Sequence, residues 1–197
     1  MSNLTSNTSH QYSRLILALR DIIMPFDDID ISNNQVANRI GINTVTTGDI
    51  FEIDLSKMTL FPLAHIVVNN VSILPHHYLF NVSVLFMDIV DINKDNFSQD
   101  NQLFSGLKEG QLGGASILWG NNNEADILNE LMYVGTYLTE SLRRGELSRN
   151  QIKLQEDGQV LCEPFYERSE NMLAGWSFTF DIEMRNNITN DLCVNTN

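Results

Sequence analysis

Gly175-Trp176-Ser177-Phe178-Thr179-Phe180-Asp181-Ile182-Glu183-Met184-Arg185 is the stretch on which the fold turns. Its large apolar side chains fall on every second residue, and its polar ones fall between them. Successive side chains of a strand point to opposite faces, so this spacing predicts a β-strand with Trp176, Phe178, Phe180, Ile182 and Met184 on a core-facing side. A strand with one wet face needs partners, and the chain supplies them upstream. Tyr78, Phe80, Val82, Val84 and Phe86 repeat the same period, with Asn81 and Ser83 interleaved with Leu79, Leu85 and Met87 on the opposite side. Phe61 to Leu74 is rich in β-branched residues and ends at Pro75, which reads as one strand or two. Ile152, Leu154 and Val160 surround the turn-prone Glu156-Asp157-Gly158 and predict a hairpin ahead of Pro164.

Two helices frame these strands. Tyr12, Leu15, Ile16, Leu19 and Ile23 recur at spacings of three and four, with Ser9 placed to cap and Pro25 to stop. The second helix is marked at both ends. Asn123 is placed to cap it, and Glu124 and Asp126 lie in its positive first turn. Arg143 and Arg144 lie in its negative last turn, with Gly145 beyond. Its stripe is Ile127, Leu131, Val134, Leu138 and Leu142, and its length of ~30 Å suits a helix laid across a sheet. The order helix, strands, helix, strands predicts an α+β sandwich of helices on a mainly antiparallel sheet, in a single domain spanning 1–197. Around it lie a disordered or extended N-terminal tail over 1–9 and long inserted loops at about 26–60 and 93–120, the second punctuated by Gly106, Gly110, Gly113 and Gly114.

Composition sets bounds on function. The chain has 197 residues, with 12 Lys plus Arg against 25 Asp plus Glu, a net charge of −13. So few basic residues argue against a free-standing nucleic-acid binder, since phosphate affinity comes from clustered Lys and Arg. The longest apolar run, near Leu79 to Val90, is broken by Asn81, Ser83 and Asp88, so no membrane span is expected. Met1 to His10 has neither the basic nor the apolar region of a secretory signal, and folding in the cytosol is the expectation. Cys162 and Cys193 can form at most one disulfide, and a reduced pair is expected in that compartment.

Chemistry-bearing strings are incomplete. Asp91-Ile92-Asn93-Lys94-Asp95 offers the first three ligand positions of a calcium loop, but Asn96 replaces the turn glycine and Gln102 the closing Glu. Asp88 and Asp91 have no partner in a hydrolase spacing. His65, His76 and His77 stand in no H-x-x-x-H or H-E-x-x-H arrangement, and Gly106 to Gly114 lacks the G-K-S/T ending of a phosphate cradle. No residue is therefore assigned to catalysis, a cofactor or a metal. The segment Glu163 to Trp176 mixes Phe165, Tyr166, Arg168 and Trp176, residue types favoured at interface hot spots. Packing of Phe165 and Trp176 in the core, with Arg168 paired to Glu167 or Glu170, is the competing reading.

The path from the capped helix Asn123 to Gly145, through Arg143-Arg144-Gly145, to Glu163-Pro-Phe-Tyr-Glu-Arg168 and the closing Gly175 to Met184, resembles neck and tail-completion proteins of tailed bacteriophages. The likeness is closest to those of crAss-like and other Bacteroidetes phages. The upstream order, with a first helix, a strand starting at Phe61-Pro62, a meander and a second helix, is similar to tail-terminator proteins. The long segments 26–60 and 93–120 depart from the compact family pattern. The resemblance implies a tail-terminator-like sandwich and a structural virion protein rather than an enzyme. It implies a homo-oligomeric ring of six or twelve copies in the head-to-tail connector, assembled in the host cytoplasm. The ring would join the portal or adaptor side to the tail around duplex DNA that passes without sequence-specific binding. It points to Phe165, Tyr166, Arg168, Trp176, Arg143 and Arg144 as subunit or ring contacts. A subunit of this length has a radius of gyration of roughly 16 Å, enough for either ring to enclose a duplex. A soluble α+β ligand-binding module, and less so a metal-dependent enzyme, are the other readings.

Overall fold

The computed structural model describes residues 10–24, 41–91, 123–144, 152–167 and 172–185. The expected tail 1–9, the loop 93–120, the calcium-like string beyond Asp91, Ser9, Gly145, Arg168 and Cys193 lie outside them. The described chain is an α+β sandwich. Helix α1 (Gln11–Ile23) precedes the strands β1 (Thr44–Thr47), β2 (Leu63–Ile73) and β3 (His77–Ile89). Helix α2 (Glu124–Arg144) follows, then β4 (Ile152–Leu154), β5 (Leu161–Glu167) and β6 (Leu173–Arg185). The sheet runs β1-β2-β3-β6-β4, with β5 also on β6. Only β1 and β2 are parallel. The two thirteen-residue strands β3 and β6 form the spine, paired from His77↔Arg185 to Ile89↔Leu173.

That register puts the two sequence alternations on one face. Phe80, Val82, Val84 and Phe86 lie beside Phe178, Phe180, Ile182 and Met184, all buried, and meet Leu15, Leu19 and Ile23 of α1 and Ile127, Leu131, Leu138 and Leu142 of α2. Trp176, at the end of this row, is half-buried, and its indole N–H donates to the Leu128 carbonyl of α2 at 2.8 Å. Phe86 and Phe178 meet edge to face, with centroids 5.8 Å apart, an arrangement the ring quadrupoles favour. Helix α2 crosses this row at Gly135, where an added Cβ would stand 2.1 Å from Phe178 Cζ. The absence of a side chain there lets the ring reach the helix backbone.

Four sequence expectations need correction. Tyr12 belongs to the predicted stripe of α1 but is half exposed, its hydroxyl 3.5 Å from Thr47 Oγ1. His10, and not Ser9, occupies the N-cap position of that helix. Residues 41–60, read as part of an extended insertion, contain β1 and two short 3₁₀ turns at Ile50–Glu52 and Met58–Leu60. The predicted hairpin across Glu156-Asp157-Gly158 is not one. Instead, β4 and β5 lie end to end on the same side of β6, Ile152 opposite Met184 and Leu161 opposite Thr179, with the turn looped out between them. Turn residues interrupt an edge strand here without reversing it, and β6 holds both pieces in register.

Candidate functional site

The face of the sheet turned away from the helices is divided in two. At one end the crossover from β1 to β2 covers it. Ile50, Leu55, Leu60 and Phe61 close over Leu63, Met87 and Leu173 in a small second core that also takes in Leu85, Ile89 and Phe165. Asn43, just ahead of β1, fastens the end of the crossover, its Nδ2 donating to the Phe61 carbonyl. Gly175 lies under Phe165, and a Cβ there would meet Phe165 Cζ at 2.9 Å and the Phe86 carbonyl oxygen at 1.9 Å. Only a bare backbone fits between that ring and the neighbouring strand.

The rest of the face is polar and uncovered by any described element. A hydrogen-bond ladder crosses it from β2 to β6. Asn69 Nδ2 donates to Asn81 Oδ1 and to Ser83 Oγ, both at 2.8 Å. Asn81 Nδ2 donates in turn to Asp181 Oδ1 at 2.8 Å, and the Ser83 and Thr179 hydroxyls are 2.9 Å apart. Lys153 completes the far side, within 2.9 Å of Glu156 and 3.7 Å of Glu183; its pairing with Glu156 holds the ammonium above its ordinary pKa. Asn69 reaches the ladder because β2 bulges between Val68 and Asn70. The extra residue turns Asn70 onto the polar face and returns Val71 and Ile73 to the apolar one.

His65 sits where the two regions meet and is fully buried. Its Nδ1 is 2.9 Å from Thr46 Oγ1 on β1, while Nε2 has no hydrogen-bond partner among the described residues. Burial is the main effect on its pKa and pushes it below the ordinary value, against the opposing pull of the Gly48 carbonyl and of Asp49. Sequence reasoning gave this residue no role, because nothing in its neighbours tells that a crossover closes over it. Among the described residues no group of three or more His, Cys, Asp or Glu is placed to hold a metal ion.

The predicted contact residues are spread over the molecule. Tyr166 is half exposed, on the helix-side face of β5 opposite Ala174. Phe165 points the other way, into the small second core. Trp176 anchors α2 through Leu128, near the start of that helix. Arg143 and Arg144 are at its other end, ion-paired with Glu140 at 3.2 and 3.3 Å. Cys162 is a free, half-buried thiol whose burial raises its pKa. No helix of the described residues is long and apolar enough to cross a membrane. No protein-family model matches the chain, and no curated protein matches it.

Proposed function

We propose that the protein is a structural subunit of a tailed-phage neck, a head-to-tail connector protein whose copies close into a ring around the DNA channel. The observation that carries this reading is the one-sided sandwich. Two helices cover one face of a mainly antiparallel sheet, the architecture that the resemblance to tail-terminator proteins implies, and among the described residues the polar part of the other face is left uncovered for contacts between subunits. Copies joined head to tail close when the rotation between them divides a full turn. The net charge of −13 suits such a ring, because an acidic wall repels phosphate and lets DNA pass without adhering. Tyr166, Arg143 and Arg144 are the predicted contact residues that stand exposed and available for this work.

Native mass spectrometry of the purified chain over a concentration series tests the proposal. A six- or twelve-fold species formed without added metal is expected. A monomer at every concentration, alone and with portal-side or tail proteins of the same particle, removes it.

A further inference from the structure

Strand β1 covers the outer edge of β2 only from Leu63 to Ile66. There the Thr47 hydroxyl turns back onto the Ile66 carbonyl at 2.9 Å, closing the pairing. From Val67 to Ile73 no described strand pairs with that edge, which leaves a row of backbone N–H and C=O groups without a strand partner among the described residues. Past the bulge, Val71 and Ile73 lie on the apolar side opposite Phe80 and Tyr78, but neither belongs to the core that the helices close. Ile73 is 73% exposed and Val71 41%, and Leu74 at the turn is 38% exposed. Along the spine of the sheet the apolar side chains on this face from Phe80 to Phe86 and from Phe178 to Met184 are buried.

Free edges are usually blunted by charge or proline, which keeps other chains from adding to the sheet. Here the sequence from Met58 to Met87 contains no Asp, Glu, Lys or Arg, in a chain that carries 37 of them. The nearest charges in the sheet, Asp181, Glu183 and Arg185, are on β6, with β3 in between. We infer that the outer edge and apolar side of the hairpin 67–78 are the surface on which a second copy of this chain docks. The occupant follows from charge. Two chains of −13 repel each other over most of their surfaces, and a contact free of charge on the hairpin side is where that repulsion is least. A basic partner would gain from acidic residues at the contact, and this surface has none. The inference rests on the ring reading above and assigns one of its two subunit contacts.

The test pairs a double variant, Val71→Lys with Ile73→Lys, with hydrogen exchange on the unaltered protein. Both positions are exposed, so the variant should keep the thermal midpoint of the parent at a concentration where both are monomeric. Its assembly should weaken by roughly tenfold or more, as expected when buried contact residues are replaced by like charges. In the unaltered protein, amides of 67–73 should be protected in the oligomer and exchange freely in the monomer. An oligomer unchanged by the double variant, with 67–73 still exchanging freely, overturns the hairpin contact and leaves the ring standing. A parent chain that never assembles overturns both.

Discussion

Phe178 and Thr179 are consecutive residues of one strand, and they belong to differently built faces. Phe178 is 2% exposed, wedged between Phe86 and the backbone of α2 at Gly135. Thr179 is half-buried, and its hydroxyl exchanges a hydrogen bond with Ser83 on the part of the opposite face that no described element covers. The helix side is held by shape and this part of the far side by pairing. Burial of a large ring is worth several times the net gain of one hydrogen bond made in partial contact with water. A steep difference in stability is therefore expected across a single peptide bond. Phe178→Ala should cost about 4 kcal/mol of unfolding free energy by urea titration. Thr179→Val should cost about 1 kcal/mol or less. Equal losses at the two positions would mean that the far face is covered in solution as well.

The packing of the helix side is sharpened by Gly135. A glycine in mid-helix ordinarily lowers stability, and replacing it with Ala should gain about 1 kcal/mol. Here the new methyl would collide with the Phe178 ring, which the crowded row of Phe86 and Leu138 keeps from moving freely. Gly135→Ala is expected to lose about 2 kcal/mol net, since overpacking a full core outweighs helix propensity. Combining it with Phe178→Leu should recover most of that loss. A stabilised single variant would show that α2 rides higher over the sheet.

The sequence conveyed the helix side well because each of its elements carries its own period. The alternation of Phe178, Phe180, Ile182 and Met184, and the stripe from Ile127 to Leu142, are local patterns, and both faces fell where the spacing put them. Features set by distant chain were hidden. Ile152 and Leu161 share β6 across a looped-out turn, and the turn signal alone suggested reversal. The bulge at Asn69 has no marker, since an extra polar residue in Val67-Val68-Asn69-Asn70-Val71 reads as a strand losing its apolar character. Of the contact residues, Trp176 and Phe165 have the composition of a hot spot, yet composition is the same for an aromatic that ties a helix to its own sheet. Exposure separates the two cases, and exposure depends on which strands lie alongside.

His65 tests the boundary between the regions through pH. Above its unfolded value of about 6.5 the ring is neutral in both states, and the stability of the buried arrangement is fully present. As pH falls through that value the unfolded chain takes up a proton that the folded one resists, because burial disfavours the imidazolium. Stability contributed by this residue is therefore lost on the acid side, until the folded ring also protonates. Urea midpoints measured between about pH 7.5 and 5 should fall more steeply for the parent than for His65→Gln. Parallel profiles would place the ring in contact with water and open the crossover at that point.

The smallest effect on the monomer is expected at the end of α2, and its smallness is what makes it informative. Arg143 and Arg144 both pair with Glu140, but their side chains are 46% and 82% exposed. Exposed pairs of this spacing contribute about 0.3 kcal/mol each and fade with added salt. Replacing both with Ala should leave the thermal midpoint of the monomer nearly unchanged, in contrast to any change along the row from Phe80 to Met184. If these residues also serve as contacts between subunits, the same variant should assemble poorly, and the deficit should shrink for the parent as salt weakens its own charged contacts. Stability and assembly would then separate cleanly: residues facing the sheet govern the first, and residues facing outward govern the second. A variant that assembles normally would assign Arg143 and Arg144 to the solvated end of the helix, where their role ends with Glu140 and the carbonyls of the last turn.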